Sequence, residues 1–197
     1  MSIRKKILAI SIGPVLVLGV ITLLFMLTMV KSSLMDEVQD ALKGTAAATL
    51  AAYDQNTGDY LESTNGDIWK GSYNISKSES LVDRIKENTG MDVTFFYGNK
   101  RIMTSALDKK GNRILGSEAG ERVVNQVIKG KKPFFSTNVS LDGTRNYGYF
   151  IPVYQNGTTD QVIGMVFVGT NKARKDAIVN KILGSIMMAL LVVMLLC

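Results

Sequence analysis

An uncharged, mostly apolar run extends from Ile7 to Val30. As a helix that rises about 1.5 Å per residue, a run of this length crosses a hydrocarbon core of about 30 Å. A secretory signal peptide would have a shorter apolar region followed by a small-x-small cleavage site, whereas this run ends in Leu-Thr-Met-Val-Lys. Arg4, Lys5 and Lys6 precede the run, so the positive-inside rule places residues 1–6 in the cytoplasm. We therefore predict an uncleaved transmembrane helix over residues 7–30.

The helical pattern continues beyond the apolar run. Hydrophobic and small residues recur at spacings of three and four, at Leu34, Val38, Leu42, Thr45, Thr49 and Ala52. The alanines between residues 46 and 52 would permit close approach of another helix. Two interpretations stay open: the helix packs only on its own domain, or it also pairs with the same helix of a second copy in a homodimer.

The next segment is rich in turn residues and then becomes helical again. Gly, Asn, Asp, Ser and Thr dominate between Gln55 and Ile75, which predicts a loop. Trp69 in this loop is expected to pack as a hydrophobic plug or to act as a pocket lid. A helix is predicted from Ser76 to Asn88, because Ser76 and Glu79 have the spacing of a capping box.

The rest of the pattern predicts a mostly antiparallel sheet interrupted by one short helix over residues 118–129. Runs of β-branched and aromatic residues alternate with turn signals, among them Asp142-Gly143 and Asn156-Gly157. The predicted strands cover residues 92–97, 101–105, 134–141, 145–154 and 162–169. Because the last of these runs is almost entirely apolar, we predict that it lies at the centre of the sheet.

The chain ends in an uncharged run of 16 residues with a single serine, from Ile182 to Cys197. A helix of this length spans about 24 Å, slightly less than the hydrocarbon core. We expect a second membrane helix that is cut off within the span, with cytoplasmic signalling partners acting through a missing C-terminal part. The expected protein is therefore a multi-pass protein of the cell membrane that holds residues 31–181 outside the cytoplasm as one α+β domain.

Composition narrows the possible chemistry. The chain has no histidine and one cysteine, so Cys/His metal sites and Cys/His or Ser/His catalysis lack their residues. The net charge is +6, but three positive charges precede the first span and the remainder, 20 Lys and Arg against 17 Asp and Glu, is interspersed. No basic stripe interleaves with aromatic residues, so we expect no nucleic-acid partner. We expect no metal or cofactor, and a role in recognition without catalysis.

Two segments carry a resemblance to a known family. The stretch VTFFYGNKRIMTSALDKKGNRILGS, from Val93 to Ser117, and the stretch YGYFIPVYQNGTTDQVIGMVFVGT, from Tyr147 to Thr170, resemble the single Cache domain of bacterial methyl-accepting chemotaxis proteins. The resemblance covers about residues 31–181. It implies a PAS-like α+β fold with a central antiparallel sheet and a long N-terminal helix, flanked by the two membrane helices. It also implies an extracytoplasmic sensor that binds a small molecule.

The resemblance also implies candidate ligand-binding residues. Related sensors of citrate and C4-dicarboxylates carry Arg-x-x-His after the first strand, where this chain has Arg101 and Thr104. Those sensors place basic or aromatic residues four and two positions before the strand proline, where this chain has Gly148 and Phe150. With one cation left, a bidentate pair with one carboxylate remains possible. A monocarboxylate, an amino acid or a small polar metabolite is therefore expected, most simply a small carboxylate or an amino acid.

Strand register leaves one alternative for the site. Tyr147 and Tyr149 lie on the opposite strand face from the two residues before the proline, and a shift or bulge of one residue would bring them into the pocket instead.

Three functions are compatible with the sequence. The first is the sensor region of a transmembrane chemoreceptor, in which ligand binding shifts one membrane helix against the other. The second is the same external region attached to a cytoplasmic histidine kinase or cyclic-nucleotide enzyme. The third is a membrane-anchored structural domain, which would have a filled core and no pocket.

Overall fold

The computed structural model describes the backbone of residues 3–196, and the side chains of these residues except 3–12, 15, 16, 191 and 193–196. The first two residues of the predicted cytoplasmic tail and the last residue of the second predicted span lie outside the described residues. The chain divides into two compact units. One comprises the described residues up to Glu37 and from Asp176 onward, and the other comprises Val38–Lys175.

Two helices lie at the ends of the chain. Helix α1 covers Ile3–Asp54 and includes Pro14, and helix α4 covers Lys172–Leu196. Within the searched residues, one helix is long and apolar enough to cross a membrane, with a mean hydropathy of 2.0 in its most apolar stretch. It is the described part of α1 from Val17 onward, and large apolar side chains such as Leu18 and Phe25 are exposed there. These observations agree with the predicted first span, and membrane insertion itself stays a prediction.

The second half of α1 packs on the domain. The residues buried there, Val38, Leu42, Ala46, Thr49 and Tyr53, recur every three or four positions. The stripe predicted from the sequence is therefore confirmed at Val38, Leu42 and Thr49. Leu34, Thr45 and Ala52 are only half-buried, because the stripe shifts by one residue to Ala46 and Tyr53. Gly44, Ala47, Ala48 and Ala51 are exposed on the same helix.

The predicted antiparallel sheet is confirmed. Its five strands follow the order β5-β4-β8-β7-β6, and every neighbouring pair is antiparallel. The strands are β4 (Asp92–Tyr97), β5 (Lys100–Thr104), β6 (Phe134–Leu141), β7 (Thr144–Tyr154) and β8 (Val162–Asn171). The apolar strand β8 is central, as its composition predicts.

The predicted loop over residues 55–75 is wrong in part. It contains a second, three-stranded antiparallel sheet, formed by β1 (Tyr60–Glu62), β2 (Ile68–Lys70) and β3 (Tyr73–Asn74). Each strand has only two or three residues, so the turn residues between them dominate the composition and conceal the alternation. Trp69 is half-buried in β2, between the buried Ile68 and Lys70.

Two predicted helix starts are also wrong. Helix α2 covers Glu79–Thr89, preceded by a 3₁₀ turn at Ile75–Lys77. The Ser76 hydroxyl accepts the Ile68 N–H at 2.8 Å and so anchors the small sheet, leaving the cap position to Ser78. Helix α3 begins at Glu121 instead of residue 118, because Glu118 forms a β-bridge with Lys100.

Helix α3 is short and irregular. Its α-helical part is Glu121–Val123, and a π-helical turn continues it over Val124–Lys129. The turn buries Val127 in the core and ends before Gly130.

An aromatic cluster joins α1 and the small sheet to one face of the large sheet. The ring of Phe95 on β4 lies 5.2 Å from Tyr53 and 5.8 Å from Tyr60. Tyr53 shares a 2.9 Å hydrogen bond with Ser78, and burial raises the pKa of Tyr53 well above its usual range. The buried ammonium of Lys70 lies 4.1 Å from the Tyr60 ring centroid. These contacts cover one face of the sheet and leave the opposite face for the site.

An ion pair ties α2 to the loop that follows β5. Arg113 donates from Nη2 to Asp83 Oδ2 at 2.5 Å and from Nη1 to Asp83 Oδ1 at 2.9 Å. Its Nη1 also donates to the Thr104 carbonyl at 2.7 Å. The hydrogen bonds from Arg113 hold the pKa of the Asp83 carboxyl below its usual value.

This pair predicts a pH-dependent contribution to stability. An unfolded Asp has a pKa of about 3.9, so the stabilisation is complete above roughly pH 4 and is lost as pH falls through the lower pKa of the folded state. The Asp83 side chain is 41% exposed, so solvent screening limits the coupling to about 0.5–1 kcal/mol. A double-mutant cycle with Asp83→Asn and Arg113→Gln, from urea denaturation followed by Trp69 fluorescence, should give this coupling at pH 7 and a smaller one near pH 3. A coupling that does not change with pH would contradict the assignment.

Candidate functional site

A cavity of about 620 Å³ opens on the face of the large sheet opposite the aromatic cluster. This volume falls within the usual range for small-molecule sites, roughly 300–1,000 Å³. The lining residues come from strands β4 to β8, from helix α3 and from the segment that precedes it. They are Phe96, Arg101, Glu118, Ala119, Gly120, Arg122, Val123, Phe134, Phe135, Ser136, Thr137, Asn138, Val139, Ser140, Phe150 and Phe167.

Three phenylalanines form a continuous row across the floor of the cavity. Phe134 on β6 pairs with Phe150 on β7, and Phe150 pairs with Phe167 on β8. The ring centroids are 6.4 Å apart in the first pair and 4.7 Å apart in the second. Cross-strand pairs place side chains on one face of the sheet, so register alone assembles this row.

Two glycines make room for the last ring of the row. Gly148 and Gly169 pair with each other on β7 and β8, and each lies two residues along its strand from Phe150 or Phe167. A Cβ added at Gly148 would lie 2.5 Å from the Phe167 ring and 2.8 Å from Val139, and one added at Gly169 would also collide with the ring. Because Gly148 and Gly169 have no side chains, the Phe167 ring can lie close against the backbone of β7 and β8.

A β-bulge brings Arg101 to the cavity. Phe95 pairs with Met103, but the next residue, Phe96, pairs with Arg101, so β5 has one extra residue, Ile102, at this point. Thr104 pairs with Thr94, two residues before Phe96. Residues three apart in a regular strand point to opposite faces, whereas here the bulge turns Arg101 to the cavity face that Thr104 also occupies.

The Arg101 guanidinium is buried without a charged partner. Its side chain is 8% exposed, Nη1 donates to the Ile114 carbonyl at 3.3 Å, and Nε has no hydrogen-bond partner. The guanidinium carbon lies 5.3 Å from the Phe96 ring centroid. None of the ion pairs found among the described residues uses Arg101. The nearby Asp92 is paired with Lys86 at 2.8 Å.

This environment favours an anion. Burial lowers the pKa of the Arg101 guanidinium, and the charge of Asp92 partly offsets the effect. Arginine nonetheless stays protonated in proteins. A buried charge is costly unless it is paired and hydrogen-bonded. A carboxylate that enters the cavity would supply both a counter-charge and a hydrogen-bond acceptor for the guanidinium group.

The rim of the cavity is polar. Glu118, Arg122, Thr137, Asn138 and Ser140 are all exposed. The Arg122 guanidinium carbon lies 5.3 Å from the Phe134 ring centroid. Solvent-exposed charges such as those of Glu118 and Arg122 contribute less binding free energy per contact than the buried charge of Arg101.

Four of the candidate residues from the sequence lie on the cavity face of the sheet, in three environments. Arg101 and Phe150 line the cavity together. Gly148 lies beneath the Phe167 ring on the cavity face. Thr104 is fully buried at the end of the phenylalanine row, where its hydroxyl shares a 2.7 Å hydrogen bond with Thr94 and accepts the Ala106 N–H.

The two tyrosines occupy the other face of the sheet. Tyr147 and Tyr149 alternate with Gly148 and Phe150 along β7, whose pairing with β8 is regular over these positions. Both are buried, and neither is among the residues that line the cavity. The Tyr147 ring stacks on Phe135 at 6.3 Å.

Of the sixteen residues that line the cavity, sequence reasoning singles out only Arg101 and Phe150. Phe96, Phe134 and Phe167 are predicted only as strand residues, and Arg122 only as part of a helix. The signal that would have found the three phenylalanines is strand register, since each pairs directly with Arg101 or within the row that contains Phe150.

The fold and the cavity together are typical of a ligand-binding sensor domain with a PAS-like sheet. A model of the family described as single Cache domain 3 matches residues 73–182, more than half of the chain. The chain therefore belongs to the single Cache domain family, as the resemblance predicts. Domains of this family are ligand-binding modules without catalytic activity. No curated protein matches the sequence.

Several solved structures are similar to this chain at low sequence identity. An extracellular ligand binding receptor from Desulfohalobium retbaense DSM5692 is 14% identical, with a TM-score of 0.53 over 78% of this chain. The chain spans only 26% of that receptor's length. The E. coli DcuS sensor domain is 13% identical, with a TM-score of 0.43, and covers 77% of this chain and 98% of its own. Methyl-accepting chemotaxis protein X is 15% identical, with a TM-score of 0.40, covering 75% and 64%.

The glycine floor gives a direct test of the site geometry. Gly148→Ala should lower the free energy of unfolding by about 1–3 kcal/mol, because the added methyl group displaces the Phe167 ring. Ser80→Thr is the control, since it adds one methyl group at an exposed position of α2 outside the cavity and should change stability by less than about 0.5 kcal/mol. Urea denaturation of both variants measures the difference. Equal stabilities would mean that the floor is not closely packed.

Proposed function

We propose that this chain is the sensor region of a transmembrane chemoreceptor, and that it binds a small extracellular carboxylate at Arg101. The observation that carries the proposal is a cation 92% buried, with an unpartnered Nε–H, in the wall of a cavity large enough for a metabolite. Leaving such a group unpaired costs free energy, and binding an anion removes that cost. Membership of a ligand-binding family supports the same conclusion.

The proposed topology follows the order of the elements. Residues 1–6 are cytoplasmic, residues 7–30 and 182–197 cross the membrane, and residues 31–181 face the outside. The chain works as a homodimer, with the exposed small residues of α1 as the pairing surface. Cytoplasmic signalling partners would respond to a shift of the second span.

Two contacts offer a route from the cavity to the second span. Strand β8, which carries Phe167, ends at Asn171, and α4 begins at the next residue. The Asn171 side chain accepts the Arg174 N–H at 2.9 Å and so caps the first turn of α4. Lys172, the first residue of α4, donates to the carbonyl of Thr137 at 3.1 Å. Because Thr137 lines the cavity, ligand contact there would act directly on the start of α4.

A thermal-shift screen of the full chain in detergent tests the proposal. The panel contains mono- and dicarboxylates, amino acids, amines and purines. A carboxylate should raise the melting temperature by several degrees and saturably, since a ligand at 100 times its Kd stabilises the folded state by about 2.7 kcal/mol. Arg101→Gln should abolish the rise. Arg84→Gln, which removes an exposed arginine from α2 outside the cavity, should keep it.

Two results would contradict the proposal. A rise in melting temperature that persists in Arg101→Gln would support a sensor whose binding site does not include Arg101. A chain that responds to nothing in the panel would favour a membrane-anchored structural domain.

A further inference from the structure

The buried and exposed parts of the cavity lining differ in chemistry. Four lining side chains are at least 90% buried, namely Phe96, Arg101, Phe150 and Phe167. Three of them are aromatic rings and the fourth is the cation. The other polar side chains of the lining are exposed or, in the case of Ser136, half-buried. A ligand that reaches Arg101 therefore leaves the polar rim and enters an aromatic environment.

This division constrains the ligand's charge. A second carboxylate near the first would lie against the rings of Phe150 and Phe167, where no buried donor other than Arg101 is available among the lining residues. An α-ammonium group would lie beside the Arg101 cation, and the acidic lining residue, Glu118, is at the exposed rim. Desolvating either extra charge without a partner is costly. One carboxylate is thus accommodated and further charge is not.

The aromatic row constrains the ligand's body. The Phe150 and Phe167 rings are tilted by 40° with centroids 4.7 Å apart, and Phe134 extends the row toward the rim. Aromatic rings favour offset-stacked and edge-to-face neighbours at centroid distances of about 4.5–7 Å. An aryl group fits this row better than a polar chain of the same length.

We propose that the cavity selects an apolar monocarboxylate with an aryl body, its carboxylate on Arg101 and its ring against the phenylalanine row. This proposal rests on the proposed function, because it specifies the ligand class of the same site. It separates this chain from a sensor of di- or tricarboxylates, which needs several cations at the buried end of its pocket.

Isothermal titration calorimetry on the full chain in lipid nanodiscs tests the proposal. The probes are benzoate, phenylacetate and 3-phenylpropanoate, against acetate, succinate, phenylalanine and the neutral isostere phenylacetamide. At least one aryl carboxylate should bind at least tenfold more tightly than acetate, succinate and phenylalanine. Phenylacetamide should bind at least tenfold more weakly than phenylacetate. Empty nanodiscs correct for partitioning of the probes into lipid.

Variants assign the binding to this cavity. Arg101→Gln should weaken aryl carboxylate binding at least tenfold, and Arg101→Lys should restore part of it because the charge returns without the bidentate geometry. Phe150→Leu should weaken the aryl probes by several fold. Arg84→Gln should bind as the wild-type chain does. The comparison of phenylacetate with its amide needs no variant, so it remains informative if a substitution at Arg101 prevents folding.

The outcomes separate this proposal from the one it rests on. If succinate or phenylalanine binds in an Arg101-dependent manner and the aryl probes do not, the aryl proposal is overturned and carboxylate sensing stands. If phenylacetamide binds as tightly as phenylacetate, the assigned role of Arg101 is overturned. If none of the carboxylates binds the wild-type chain, both proposals are overturned.

Discussion

The site depends on a single electrostatic constraint, the burial of a cation that the protein itself does not neutralise. The Arg101 guanidinium is held by one carbonyl and lies beside the Phe96 ring, with its Nε–H left free. Asp92, the acid that influences its pKa, is already paired with Lys86. Such a group lowers the free energy of unfolding of the unliganded protein, and an anionic ligand that pairs with it raises that free energy again. Folding energy and ligand recognition are therefore linked through one side chain.

The backbone around Arg101 accounts for its position. One extra residue in β5 turns the side chain toward the cavity. The segment before α3 is held beside Arg101 by two backbone hydrogen bonds, from the Arg101 N–H to the Ser117 carbonyl and from the Gly116 N–H to the Arg101 carbonyl. On the neighbouring strands, two glycines allow the Phe167 ring to lie against the sheet. Phe95, which precedes the cavity residue Phe96 on β4, contacts Tyr53 of α1 on the opposite face. A shift of β4 on ligand binding would therefore change side-chain contacts on both faces of the sheet.

The sequence predicts the large strands better than it predicts which side chains come together in the folded domain. The five large strands and the central place of β8 follow from alternation and apolar content, because those signals are local. The small sheet at Tyr60–Asn74 is missed, since strands of two or three residues carry too little pattern. Arg101 and Phe150 are found through resemblance to a family. The sequence does not predict the phenylalanine row, because only strand register brings Phe134, Phe150 and Phe167 together. It does not predict the bulge in β5 either, because the extra residue is Ile102 and not a glycine, which often marks a bulge.

The central claim is that a ligand carboxylate pairs with the guanidinium group of Arg101. Nuclear magnetic resonance of the chain labelled with ¹⁵N-arginine observes this group directly, and Arg101→Gln assigns its signal. The test uses the carboxylate that gives the largest rise in melting temperature. Saturation should move the Arg101 Nε–H proton signal, because a charge-assisted hydrogen bond to the guanidinium changes the environment of the whole group. An Arg101 signal that is unchanged in the saturated complex would contradict the account.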